Sequence, residues 1–101
     1  EKNMRIDKLS KEETRHFFET ILLLEDVDEC YAFFDDLMTL KEMKVFVTRL
    51  TVAEMLLEGK TYQEIEKKTQ ASTAIISRVK RSIEEGNDSY ELLRNRLNSQ
   101  Q

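Results

Sequence analysis

Apolar residues return at steps of three and four along the chain, as in Ile76, Val79 and Ile83, the spacing of a helix with one face turned inward. Hydroxyl residues stand three positions before glutamate at Ser10 with Glu13, Thr39 with Glu42, and Thr61 with Glu64. Each pair matches a capping box, in which the two side chains satisfy amide donors of a helix's first turn. Ser72, and Asp88 with Glu91, read as further caps. Gly59 and Gly86, the only glycines, each follow a periodic apolar segment, where a left-handed residue closes a helix. These signals predict six helices, over residues 10–24, 27–37, 40–58, 62–69, 73–85 and 88–98. Proline is absent, and Leu, Glu, Lys, Met and Ala fill the element interiors, so the expected fold class is all-α.

The first three helices carry more large apolar residues than one small core absorbs. Phe17, Phe18 and Ile21 to Leu24 lie on the first, Tyr31, Phe33, Phe34, Leu37 and Met38 on the second, and Val45, Phe46, Leu50, Val52, Met55, Leu56 and Leu57 on the third. Adjacent pairs such as Phe17 with Phe18 widen the apolar arc beyond the stripe a monomer's surface helix needs. A second copy of the chain is the expected cover, two-fold dimers being the commonest soluble oligomers.

The stretch "TYQEIEKKTQASTAIISRVKR", Thr61 to Arg81, has the parts of a helix-turn-helix. Ile65 is the inward residue of the first helix, "QAS" with Ala71 the tight turn, and Ile76, Val79 and Ile83 the inward face of the second. The outer face of the second helix then presents Thr73, Ala74, Ser77, Arg78 and Arg81, with Lys80 to one side. Small residues near the N-terminus let the backbone approach base edges in a major groove, and the bases further along meet phosphate.

Charge sharpens this picture. Residues 1–59 hold 8 Lys/Arg against 14 Asp/Glu, whereas residues 60–101 hold 8 against 6. Between Lys67 and Arg81 there are five bases, Lys67, Lys68, Arg78, Lys80 and Arg81, and no acid. A Debye length of about 8 Å at physiological salt lets such a patch act independently of distant acids. Duplex DNA is therefore the expected partner. The rival reading is a helix-turn-helix that docks on a protein of the transcription machinery without reading DNA; it would want an apolar or acidic outer face, and Glu84 and Glu85 are what this sequence offers toward it.

Other classes find little support. The 101 residues suit one domain, with 10–58 and 88–98 as dimerisation core and 61–85 as reading head. No apolar run would span a bilayer and the charged start has no signal-peptide core, so no membrane and a cytoplasmic location are expected. A lone Cys30 forms no internal disulfide, and a lone His16 has no partner at metal-ligand spacing. Asp35 and Asp36, neighbours on a helix, point about 100° apart and make no acid/base pair; an enzyme is not expected. Arg49 sits in the apolar run "VFVTRLTV", where it either extends its head to solvent or pairs with an acid such as Glu54 or Asp36.

The segment "RLTVAEMLLEGKTYQEIEKKTQASTAIISRVKRSI", flanked by "DECYAFFDDLMT" and "GNDSYE", resembles the Trp repressor superfamily and within it the YerC/YecD group. The resemblance runs from about Met4 to Leu97. It implies a six-helix, intertwined homodimer whose first three helices and last build a shared core, the fourth and fifth forming the reading head, and a transcription regulator that acts as a repressor. Operator contacts are implied at Gln63, Thr73, Ala74, Ser77 and the neighbouring bases. Arg49 and Arg78 fall where the family's two arginines hold tryptophan, with Thr39 and Ser82 at further pocket positions. Val79 stands in place of a glycine beneath that ligand and Ile75 in place of a pocket threonine, both adding bulk where an indole would sit. No corepressor is therefore expected. Gln70 replaces a turn glycine.

Overall fold

The computed structural model describes residues 4–100. After a short 3-10 turn at Arg5–Lys8, six helices follow: α1 (Lys11–Ile21), α2 (Val27–Leu37), α3 (Leu40–Leu57), α4 (Tyr62–Thr69), α5 (Thr73–Glu85) and α6 (Ser89–Ser99). No strand occurs among the described residues. The chain divides into two compact units, one ending at Thr39 and the other beginning at Leu40.

In the first unit, Ser10 caps α1 by accepting from the Glu13 N–H, and Asp26 caps α2 by accepting from the Glu29 N–H at 2.8 Å. Glu29 in turn accepts from the Glu25 N–H at 2.8 Å. Helix α1 stops at Ile21, three residues before the expected end. The apolar run "ILLL" continues the helical pattern, but Leu23 and Leu24 donate to carbonyls only three residues back, those of Thr20 and Ile21. The chain tightens there and then yields to the Asp26 cap. Neither α1 nor α2 has a buried residue. Phe33 and Phe34 meet edge to face with ring centroids 5.3 Å apart, a contact of neighbours rather than a core.

The second unit holds the core: Val52 and Ala53 from α3, Ile65 from α4, Ala71 from the turn, and Ile76 and Val79 from α5, with Ile83, Tyr62 and Tyr90 packed against them. Every inward residue expected of the helix pair is thus inside. Helix α3 is the platform on which α4, α5 and α6 all pack. Arg94 of α6 donates from Nη1 to the Leu57 carbonyl at 3.2 Å, satisfying a terminal acceptor of α3 while its charge complements that helix's negative end.

The ends of α4 show how local chemistry sets boundaries. Thr61 Oγ1 accepts from the Glu64 N–H at 3.2 Å and Glu64 Oε1 from the Thr61 N–H at 2.9 Å, the reciprocal box the spacing predicts. The Thr61 backbone N–H, and after it the Thr61 hydroxyl, hold the Glu64 carboxyl below its ordinary range. A lowered folded-state value means this cap is complete above the ordinary carboxylate range and fades as pH falls through the lowered value.

At the other end Gln70 adopts the left-handed conformation, φ 60°, and its N–H donates to the Glu66 carbonyl at 2.7 Å. A non-glycine residue is strained there. Gln70→Gly should raise stability by about 0.5–1 kcal/mol, the relief exceeding the entropy a glycine adds to the unfolded chain. A urea midpoint shifted upward at constant slope would show it; a downward shift would mean the Gln70 side chain supports the turn.

Two terminal expectations are corrected. Gly59 is left-handed as expected, φ 83°, but Gly86 is not, with φ −87°. Its lack of a side chain matters for another reason: a Cβ there would overlap the Ser82 backbone carbonyl. Asp88 does not cap α6 through its side chain; it is itself left-handed, φ 61°. Its expected partner Glu91 keeps Oε1 out of solvent without a hydrogen bond among the described residues.

Candidate nucleic-acid interface

Helices α4 and α5 and their three-residue turn form a hairpin whose inner side is the apolar core. Ser72 caps α5 by accepting from the Ile75 N–H at 3.2 Å, so α5 starts cleanly with Thr73 and Ala74 in its first turn. No acid lies in that turn, and the free amides and dipole of a helix N-terminus favour a negative group. Thr73, Ala74, Ser77, Arg78, Lys80 and Arg81 are all solvent-exposed on α5, as are Gln63, Lys67 and Lys68 on α4. The structure thus brings every one of the expected contact residues to the surface of the same hairpin. Lys67 and Lys68 occupy the last turn of α4, where cations are favoured.

Two cross-helix hydrogen bonds escaped the sequence reading. Thr73 Oγ1 donates to Glu66 Oε1 at 2.6 Å, and the Tyr62 hydroxyl lies 3.5 Å from Ser77 Oγ. Tyr62 and Glu66 are half-buried and four residues apart on α4; Thr73 and Ser77 are four apart on α5. Matched hydroxyl and carboxylate positions at i, i+4 on two facing helices were the available signal.

The resemblance assigned four positions to a ligand. Thr39 closes the first unit, while Arg49, Arg78 and Ser82 lie in the second. Arg49 is half-buried on α3, and none of the ion pairs among the described residues involves it. Arg78 is exposed, and the Ser82 hydroxyl is turned back onto the Arg78 carbonyl at 3.2 Å. Val79 is 3% exposed and belongs to the core. An open depression of about 680 Å³ between α3 and α4, whose lining includes Glu54, Glu58, Lys60, Glu64, Lys67 and Lys68, includes none of Arg49, Arg78 and Ser82. No cluster of three metal-binding side chains exists among the described residues.

Comparison with known proteins decides the kinship, because the profile of the family described as Trp repressor protein matches residues 12–98. The chain belongs to the Trp repressor family. It is 53% identical over 94 residues to the uncharacterized protein YerC of Bacillus subtilis (strain 168), the match covering 93% of this chain and 90% of YerC. A crystal structure of a candidate Trp repressor from Staphylococcus aureus superposes with a TM-score of 0.92 at 48% identity, covering 95% of this chain and 96% of that one. A Trp repressor-like protein from Eubacterium eligens ATCC 27750 superposes with a TM-score of 0.88 at 46% identity, covering 91% and 95%. The all-α Trp repressor fold is thereby established for this chain. The Trp repressor family is one of transcription regulators rather than enzymes. No helix among the described residues is long and apolar enough to cross a membrane.

Proposed function

We propose that the protein is a sequence-specific DNA-binding transcription regulator, a homodimeric repressor that acts by occupying a promoter. The observation that carries this reading is the outer face of α5: small side chains at its capped N-terminus, bases from Arg78 onward, and two lysines of α4 beside them. Such a face sets a helix tip against base edges and cations against phosphate. Counterion release from five bases supplies salt-dependent affinity.

The dimer is supported by the first unit. Leu22 is 81% exposed, Leu23 76%, Val27 69% and Tyr31 75%, and no residue of α1 or α2 is buried. Short helices without a buried face are marginal in water, so these residues need a partner, and family membership points to a second copy. A two-fold axis then predicts a near-palindromic site with half-sites about 10 bp apart. We propose further that no tryptophan-like corepressor is needed, since Val79 is packed in the core and Ile75 adds bulk beside it.

The test is selection of bound sites from a random duplex library at physiological salt, with and without tryptophan. One palindrome enriched in both arms is the expected result. Enrichment only with tryptophan would overturn the corepressor-free reading, and none in either arm would favour a protein-docking module. Arg81→Ala should weaken binding to all sequences several-fold and lower the salt slope by about 1, whereas Ser77→Ala should relax preference at one base position. Equal loss of specificity from both would contradict this division of labour.

A further inference from the structure

The hydroxyl of Thr73, at the tip of α5, has one hydrogen, and the structure shows where it goes: to Glu66 Oε1, 2.6 Å away on α4. Toward any ligand outside the hairpin, Thr73 Oγ1 then has only lone pairs to offer, and the carboxylate holding it has no donor either. Ser77 differs. Its partner Tyr62 is a hydroxyl 3.5 Å away, either atom can donate, and Ser77 remains free to give or accept a hydrogen bond. The reading head therefore has one corner committed to acceptance beside one that is uncommitted.

We propose that Glu66 is a specificity-determining residue, which with Thr73 forms an acceptor-only corner selecting an exocyclic base amine, cytosine N4 in first place, in each half-site. This rests on the DNA-reading function proposed above. In the major groove the donors are cytosine N4 and adenine N6, while guanine O6 and N7, thymine O4 and adenine N7 are acceptors. Two acceptors side by side are repelled by guanine and thymine. Adenine presents its amine next to N7, which one of the two acceptors would face; the cytosine edge has no such atom, so cytosine is preferred. The charge of Glu66 points the same way. A carboxylate among five phosphate-binding cations opposes non-specific attraction to the backbone, and that cost is recovered only where an amine is present to meet it.

The experiment is the same library selection at physiological salt, run with the unmodified chain and with Glu66→Gln, Thr73→Val and Thr73→Ser. The unmodified chain should prefer cytosine at one position per half-site. Glu66→Gln and Thr73→Val should each reduce that preference about tenfold at that position and leave the others unchanged; the double variant should lose no more than either alone. Thr73→Ser, which keeps the hydroxyl, should retain it. Glu66→Gln should also bind random duplex a few-fold more tightly, having lost a charge that repels phosphate. A motif without a cytosine preference sensitive to both variants, or a preference flattened evenly at all positions as a merely structural role would produce, would overturn the assignment while leaving the DNA-reading function standing. No motif from the unmodified chain would overturn that function and the assignment with it.

Discussion

Tyr31→Glu should convert the proposed dimer to a monomer at micromolar concentration and lower its affinity for a palindromic site more than about 100-fold. Tyr31 and Val27 are four residues apart on α2 and both stand largely in water, forming an apolar stripe on a helix that buries nothing. A glutamate in its middle would have to be desolvated against the partner chain, at a cost of several kcal/mol for an unpaired charge. Losing the dimer removes the second half-site's effective concentration, which multiplies affinity by about 10²–10⁴. Sedimentation equilibrium and a titration of the selected palindrome would measure both. The variant's α5 face is untouched, so non-specific binding at low salt should persist. A variant that stays dimeric and binds as before would place the dimer interface away from this stripe.

The second large effect is on stability. Ile76→Ala should cost about 3 kcal/mol, because Ile76 is 0% exposed in a core of six buried residues among those described, and truncating a buried isoleucine removes both transfer energy and packing. That is a large share of the roughly 5–15 kcal/mol by which domains are stable. The urea midpoint should fall at constant slope, and DNA binding should weaken with it, since Ile76 is the inner face of the helix whose outer face is proposed to read bases. Ser77→Ala, one residue along and exposed, should leave the midpoint nearly unchanged. A loss below about 1 kcal/mol for Ile76→Ala would mean that the second unit closes around the gap.

Much of this was legible in the chain itself where the determining interaction is local. The Thr61–Glu64 box, the Ser72 cap and the stop at Gly59 are bonds or backbone states spanning three or four residues, so spacing alone locates them, and α4 and α5 begin and end where expected. The helical period likewise assigns Ile65, Ile76 and Val79 to the inside, because a helix that packs on one side can bury only one stripe. The exposed contact face is the complement of that stripe. Sequence misled where two local rules compete. After Ile21 the apolar pattern favours continuing the helix while Asp26 favours starting another, and the tightened turn is the compromise. At Gly86 a glycine was read as a left-handed stop, yet what excludes a side chain is the Ser82 carbonyl one turn back.

What the chain determined by itself, then, is where its helices lie, which stripe of each of α4 and α5 goes inside, and that the remaining face is small at one end and basic at the other. Only the tertiary structure decided which side chains of α4 reach those of α5. The Glu66–Thr73 and Tyr62–Ser77 bonds join residues seven and fifteen apart, and their existence depends on the angle at which two helices cross after a left-handed Gln70. It also decided that α3 carries the other three helices, and that no residue of α1 or α2 is fully buried. The physical reason is one of range. Caps and periodicity act within a turn of helix, whereas the direction of a hydroxyl's hydrogen is set by whatever the fold places beside it.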